Sequence, residues 1–412
     1  MRYCVLGLGV SGKAVIEFLE KSSSPFIVVD QKEPESGTFP FFLESAPPQL
    51  EGVTCLVKSP GIPLPHPWVV EAKERGIQIV GEIDLALEVL AKKNKTVLGI
   101  TGSNGKTTTT LLTTHLLQQR GIEAVTVGNI GTPLLSQVEN RAEVFVVELS
   151  SFQLSTLVPR PSFDRAVILN ITPNHLDWHA SFEEYSQAKF RLFSALKKGG
   201  KGFIPPSLAT CGSGWETTAS WKQMLETIFS LEYRVGGNVF LKHDLENLAA
   251  ACCLLEPSRE EVKEGMRTFR KPPHRLEFVR KVRGVSFFND SKATSVDAVE
   301  KALEALEGPL LLLAGGVDKG GDYRKWIPLL RENVKRVFAM GGAANRMVEE
   351  LSTDVDIEKV VGLEEGLERA ISLAQTGDTV LLSPGCSSFD QFRNFEERGE
   401  VFKKWVWEKV YE

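Results

Sequence analysis

The segment Gly99-Ile100-Thr101-Gly102-Ser103-Asn104-Gly105-Lys106-Thr107-Thr108 joins a short apolar run, Thr96 to Ile100, to a helical pattern from about Lys106 to Arg120. Glycines in such a turn let successive backbone N–H groups face one anion. Lys106 would counter the β- and γ-phosphates of a nucleotide, and Thr107 would offer its hydroxyl to Mg²⁺. A strict Walker A loop requires glycine where Ile100 stands, so this is the TGxxGKT[ST] variant. The competing reading is a helix start with a solvated lysine; a Gly-Lys-Thr turn between strand and helix favours phosphate.

Three further segments carry residue types with chemical use. Gly7-Leu8-Gly9-Val10-Ser11-Gly12 follows an apolar strand and precedes Asp30, the last residue of Phe26-Ile27-Val28-Val29-Asp30. Glycines there admit a phosphate to a helix N-terminus, and an acid at that distance reaches a ribose or base. The motif does not separate NAD from a UDP-sugar, and a glycine turn kept for packing is its bland reading. In Val144-Phe145-Val146-Val147-Glu148-Leu149-Ser150-Ser151-Phe152-Gln153 a carboxylate closes a buried strand. Next to a phosphate loop Glu148 reads as an oxygen ligand for Mg²⁺, and otherwise as a strand-end cap. The run Asn170-Ile171-Thr172-Pro173-Asn174-His175-Leu176-Asp177-Trp178-His179 follows another apolar strand, where α/β folds place ligands. His175 is the candidate, although a lone loop histidine is more often solvated. Lys189, on the helical stretch that follows, is by composition a surface lysine.

The elements that must position these residues alternate along the chain. Strand patterns at Tyr3–Leu8, Phe26–Asp30 and Cys55–Lys58, with helical ones at Lys13–Leu19 and Val69–Arg75, predict an open parallel α/β sheet. The polar run Ala91-Lys92-Lys93-Asn94-Lys95 sets a first boundary near Lys93. A second unit has strands at Thr96–Ile100, Val144–Glu148 and Arg165–Asn170, while Gly199–Phe229 resists assignment. Lys271-Pro272-Pro273 marks a second break, because consecutive prolines exclude a helix. Strands at Leu310–Ala314, Arg336–Met340 and Thr379–Ser383, with a helix near Glu400–Lys409, make a third α/β unit. The 412 residues suffice for several independent cores.

Composition narrows the class. Apolar residues make up 42% and charged residues 25%, which excludes a disordered or fibrous chain. A net charge of -5 without a dense Lys/Arg tract argues against nucleic acid. No apolar run approaches the length of about 18 residues that spans a bilayer, and no signal peptide opens the chain, so a cytoplasmic location is expected. The six cysteines are scattered without zinc-ligand spacing and read as reduced thiols.

Together these strings resemble the Mur ligase family, ATP-dependent amide-forming enzymes of peptidoglycan precursor synthesis. The resemblance rests on Thr101–Thr107, Glu148–Gln153, Asn174–Asp177, His274-Arg275, Asn289-Asp290-Ser291-Lys292-Ala293-Thr294 and Ser383-Pro384-Gly385-Cys386-Ser387-Ser388-Phe389-Asp390-Gln391-Phe392, and spans nearly the whole chain. It implies a three-domain α/β fold: a Rossmann-like UDP-binding domain over 1–93, a central P-loop ATPase-type domain over 94–271, and a Rossmann-like amino-acid-binding domain over 272–412. The serine-rich and Asn-Asp-Ser-Lys-Ala-Thr strings are similar to the D-glutamate-adding branch. That implies UDP-N-acetylmuramoyl-L-alanine and D-glutamate as substrates, ATP, two Mg²⁺ sites and a monomer.

The resemblance also implies roles residue by residue. Gly102, Ser103, Asn104, Gly105, Lys106, Thr107, Thr108, Asn247, Arg275 and Asp290 would contact ATP. Gly9, Val10, Ser11, Asp30, Gln31, Asn129 and His175 would hold the UDP-linked substrate. Lys292, Thr294, Lys319, Ser388 and Phe395 would hold D-glutamate, whose two carboxylates call for cationic and hydroxyl donors. Thr107, Glu148 and Lys189, the last as its carbamate, would serve metal, and Lys106, Glu148, His175 and Lys189 the chemistry. The chain departs from the family pattern at Gln31-Lys32, where relatives often carry Thr-Arg, at His243-Asp244, where His-Asn is usual, and at Phe389, where leucine is common. The rival readings are a ligase of the same superfamily with another amino acid or a folate, an NAD-dependent dehydrogenase with an appended ATPase, and a non-catalytic nucleotide switch.

Overall fold

The computed structural model describes residues 1–33, 39–175, 178–211, 214–228, 233–235, 238–240, 242–306 and 308–410, without the side chains of 211, 228, 233–235, 238–240, 242 and 243. The chain divides into two compact units: residues 1–228 with 244–267, and residues 229–243 with 268–412. The first unit carries two parallel sheets and the second a six-stranded mixed one and a two-stranded antiparallel one, Tyr233–Val235 with Asn238–Phe240, so the molecule is an α/β protein with three domains built on large sheets.

The N-terminal sheet orders its strands Phe41–Leu43, Phe26–Asp30, Tyr3–Leu6, Cys55–Lys58 and Gln78–Val80, all parallel. The order reverses direction between Tyr3–Leu6 and Cys55–Lys58, the crevice where such sheets accept ligands. The first strand stops at Leu6 rather than Leu8 because Gly7 turns to φ +96°, and the following helix begins at Val10 and runs to Lys21. Pro67–Glu74 forms the next helix, with Pro67 at its first position, where a missing N–H costs nothing.

Six parallel strands form the central sheet, in the order Glu216–Thr217, Leu196–Ile204, Phe163–Ile168, Thr96–Thr101, Val144–Glu148, Ala124–Gly128. The Gly199–Phe229 region, which has no clear pattern in sequence, supplies most of the long strand Leu196–Ile204 and the helix Ala219–Ile228; two lysines and two glycines at 197–200 hide the strand's apolar pattern. One apolar core joins this sheet to the N-terminal one, Val5, Val28 and Leu87 packing in the same cluster as Val97, Leu134 and Phe145. The helix Glu82–Lys92 adds polar ties across that junction: Glu82 accepts from the backbone N–H of Leu135, and Asp84 from Val158 (2.8 Å) and its own helix cap Gly81 (2.9 Å). Burial pushes these carboxyls up, Glu82 to about 7 and Asp84 to about 6.

The second unit's main sheet runs Glu277–Val282, Val285–Asn289, Thr379–Leu382, Leu310–Gly315, Val334–Met340, Ile357–Lys359, parallel except for the first, an edge strand. Leu310 to Leu313 are fully buried, as expected of a parallel strand covered on both faces. The last helix starts five residues earlier than the sequence pattern suggests, at Phe395, because the Asn394 side chain caps it by accepting from the N–H of Glu397. Among the described residues five cysteines are free and buried, and no helix is long and apolar enough to cross a membrane.

Candidate active site

Three adjacent parallel strands of the central sheet end side by side, with Ile100 paired to Glu148 and Thr101 to Ile168. The loops that follow them are the phosphate loop, the Leu149–Ser151 turn and the segment bearing His175. Topology alone therefore gathers three of the motifs at one sheet edge.

The phosphate loop opens the helix Lys106–Gln119 through Gly105, at φ +84°. A Cβ at Gly105 would lie 2.2 Å from Asn247 Oδ1, so only glycine fits, and Asn247 is thereby placed directly on the loop. Asn170 brackets the loop by accepting from Asn104 N–H (2.8 Å) and donating to Asn104 O (3.1 Å). Thr107 is buried at the first helical turn. Lys106 Nζ turns back onto the carbonyls of Gly102 (2.8 Å) and Ser103 (2.9 Å).

Lys189 is no surface lysine. Its side chain is 1% exposed, and Nζ donates to the same Gly102 carbonyl at 2.9 Å. Burial, reinforced by the nearby Lys106 charge, holds its amine well below the usual lysine range. A deprotonated amine is the form that can add to CO₂. Tyr185, one helical turn earlier, places its ring under Lys189 Nζ (4.5 Å) and hydrogen-bonds the Ser103 hydroxyl (2.7 Å). No motif in the sequence singles out Tyr185, although its i, i+4 spacing from Lys189 puts both on one helix face.

Glu148 is buried at its strand end. Oε1 accepts from Asn129 Nδ2 (2.9 Å), while Oε2 is enclosed with no hydrogen-bond partner among the described residues. An orphaned carboxylate oxygen beside a phosphate loop fits a hard cation. No three His, Cys, Asp or Glu side chains cluster as a ready-made metal site among the described residues. Mg²⁺ often takes only one or two carboxylates and completes its shell from phosphate and water, so Glu148 and the Thr107 hydroxyl match that demand. His175, at φ +54°, packs edge-on against Phe152 (4.8 Å) from the Glu148–Gln153 string. Asp177 and Leu176 lie outside the described residues, as does the side chain of His243.

A separate cavity of about 370 Å³ opens at the N-terminal sheet's crevice, lined by Gly7–Ser11, Asp30, Gln31, Glu44 and Ser59–Ile62. Asp30 is engaged within the loop itself, accepting from the N–H groups of Leu8 and Gln31. It fixes the shape of the glycine turn while its side chain still lines the cavity.

In the second unit the candidates gather at the C-terminal ends of three neighbouring strands. Asp290 accepts from Leu276 N–H (3.1 Å) and the Ser383 hydroxyl (2.9 Å), Lys292 Nζ lies over the Phe395 ring (5.2 Å), and Lys319 Nζ reaches Thr294 O (3.3 Å). Ser388 is buried, its carbonyl accepting from Phe392 N–H (2.8 Å). Arg275 is near enough for its charge to act on Asp290. To these the structure adds Arg398, a buried guanidinium that donates to Ser291 O (2.9 Å), Cys386 O (3.2 Å) and Gly315 O (3.4 Å) and so ties the three loops together. Its signal in the sequence is faint, a single arginine in a helix of mixed charge.

Burial raises the Asp290 carboxyl to about 7. The folded state therefore keeps a proton that the unfolded chain releases at about pH 4, so stability falls as pH rises from about 4 to about 7 and levels off above. Asp290→Asn is expected to lessen the slope in thermal melts across this window, leaving the share that Glu82 and Asp84 contribute; an unchanged slope would contradict the assignment.

Comparison with known proteins bears on the family to which the chain belongs. A Mur ligase MurD-like N-terminal domain matches residues 1–81, a Mur ligase middle domain 100–212, and a Mur ligase, glutamate ligase domain 274–386. A UDP-N-acetylmuramoylalanine--D-glutamate ligase of Protochlamydia amoebophila is 37% identical, covering 98% of this chain and 97% of the relative. One of the same name from Chlamydia felis is 40% identical over the same shares of the two chains. Among solved structures, a MurF ligase from Thermotoga maritima in complex with ADP superposes with a TM-score of 0.59 at 16% identity, over 98% of this chain and 94% of that one. The UDP-N-acetylmuramate-alanine ligase of the same organism gives 0.56 at 16% identity, over 98% of each chain. With the three domain models falling in order on the three large sheets, and full-length relatives this similar, the chain belongs to the Mur ligase family.

Proposed function

We propose that this chain is an ATP-dependent, ADP-forming amide ligase that adds D-glutamate to UDP-N-acetylmuramoyl-L-alanine in peptidoglycan precursor synthesis. The observation that carries the reading is that Lys106 and Lys189 share the Gly102 carbonyl of one phosphate loop, beside the strand end that bears Glu148, in a chain whose full-length relatives bear that ligase's name. The domains we assign are 1–93 for the uridine nucleotide, 94–271 for ATP and 272–412 for the amino acid.

A carboxylate is a poor electrophile, so it must be activated before an amine can attack. A carboxylate oxygen of the alanyl group attacks the γ-phosphorus of ATP, ADP leaves, and an acyl phosphate forms. The D-glutamate nitrogen then adds to the acyl carbon, loses its proton, and phosphate departs with one former carboxylate oxygen. Lys106 turns from its own loop's carbonyls to the β- and γ-phosphates, offsetting charge as two anions approach. Asn247 and the loop N–H groups hold the triphosphate in line. Asn129 and His175 orient the alanyl carboxylate. Thr107, Glu148 and Lys189, as its carbamate, are the groups that would hold Mg²⁺, which when bound neutralises phosphate charge. Lys292, Thr294, Lys319, Ser388 and Phe395 bind D-glutamate, whose carboxylates match the ammonium and hydroxyl groups of the first four.

Incubation with UDP-N-acetylmuramoyl-L-alanine, ATP, Mg²⁺ and each of a panel of amino acids is expected to release phosphate only with D-glutamate. Release with L-alanine on UDP-N-acetylmuramate, or with a folate, would replace this reading by that of a sister ligase.

A further inference from the structure

Lys58 ends the strand Cys55–Lys58 and is 1% exposed, yet among the described residues no carboxylate lies against it in an ion pair. Its ammonium donates to three carbonyls of the turn that follows it: Ser59 (3.1 Å), Ile62 (2.7 Å) and, at the limit of a bond, Pro60 (3.5 Å). Burial lowers its amine to about 8, so it is charged at neutral pH. Burying a cation without an anion is costly, and the three carbonyls offset part of that cost.

What they fix is the wall of the N-terminal cavity. Ser59, Pro60, Gly61 and Ile62 all line it, opposite the glycine loop. The Ser59 hydroxyl donates to Gly7 O (2.9 Å), and a Cβ at Gly7 would lie 2.8 Å from Ser59 Cβ, so turn and glycine loop are in contact. Lys58 thus gathers the carbonyls of Ser59, Pro60 and Ile62 and holds the turn in one conformation. On its far side Lys58 lies 5.5 Å from the Trp178 ring, and the indole N–H of Trp178 reaches Gly61 O (3.4 Å). Trp178 packs on Phe152 (4.7 Å), which also packs on His175. The same turn is thus fastened to the glycine loop on one side and to the His175 loop on the other.

We propose that Lys58 is a positioning residue that shapes the cavity wall for a nucleoside diphosphate and, through Trp178, sets that wall against the His175 loop. The proposal rests on the reading of this cavity as the uridine-nucleotide site. It assigns no contact between Lys58 and the ligand.

The test uses the full chain with Lys58→Met, Trp178→Leu and the double variant. UDP binding is measured by calorimetry, and steady-state kinetics with the UDP-linked substrate and with ATP. Lys58→Met is expected to weaken UDP binding and raise KM for the UDP-linked substrate about tenfold, leaving KM for ATP unchanged. The double variant should lose less than the two single losses combined, because both side chains act on one turn. A merely structural lysine would instead lower Tm and the active fraction while leaving UDP affinity and both KM values intact, and that result overturns the proposal, as do fully additive losses. Should Lys58→Met fail to fold, Lys58→Arg and Trp178→Leu carry the same comparison of UDP affinity against ATP KM. Absence of UDP binding by the unaltered chain would remove the nucleotide reading and this proposal together, whereas normal binding unaffected by either residue removes the proposal alone.

Discussion

Lys189→Ala is expected to lower kcat by at least about 100-fold, the scale of losing one group that stabilises transferring charge. Bicarbonate or a short carboxylate such as acetate should restore part of the loss. The argument starts from burial. A lysine 1% exposed, sharing the Gly102 carbonyl with Lys106, sits where two ammonium charges repel and where water solvates it poorly. Burial and the Lys106 charge both shift its amine toward the neutral form, the form that can add to CO₂ with loss of a proton. The carbamate would carry two oxygens sharing a negative charge toward the phosphate loop, where they would offset the Lys106 charge and offer ligands to a hard cation. Added carboxylate supplies similar oxygens to the space left by alanine. The Gly102 carbonyl keeps Lys106 as its donor in the variant, so folding should survive. Full activity in Lys189→Ala without additives would remove the carbamate from the account, and so would wild-type activity unaffected by exhaustive removal of CO₂.

The second large effect falls on Lys106. Its ammonium is held by Gly102 O and Ser103 O, a position from which a side-chain rotation reaches phosphates cradled by the loop. Lys106→Ala should cut phosphate release by about 1,000-fold, in the range seen when a cation is withdrawn from a transferring phosphoryl group. Tm should change little, because the loop remains bracketed by Asn170 and closed by Asn247. Activity within about fivefold of the unaltered chain would show that phosphate charge is met elsewhere.

The strand-end motifs are legible in the order of residues alone, because parallel strands read as apolar runs and their loops as Gly-, Asn- and Ser-rich breaks. Glu148 is readable as a candidate ligand from its position at a buried strand's end, and among the described residues its Oε2 has no hydrogen-bond partner. Lys189 is not legible from its residue type, since a lysine on a helix with charged neighbours looks solvated; only the family resemblance singles it out. Tyr185, Lys58 and Arg398 act through tertiary contacts and folded turns, and no local pattern marks such pairings. The strand Leu196–Ile204 is hidden for a related reason: Lys197, Lys198, Gly199 and Gly200 break the apolar run at its start, while pairing with Phe163–Ile168 holds it extended. Asp30 shows the opposite case, a residue whose spacing points to a ligand and whose carboxylate also builds its own loop.

The central claim is that a carboxylate oxygen of the acceptor becomes bonded to phosphorus before the amide forms. It is tested by ligating UDP-N-acetylmuramoyl-L-alanine labelled with ¹⁸O in the alanyl carboxylate and weighing the released phosphate. The account predicts one ¹⁸O in each phosphate, transferred as the acyl phosphate collapses; unlabelled phosphate alongside normal amide formation would contradict it.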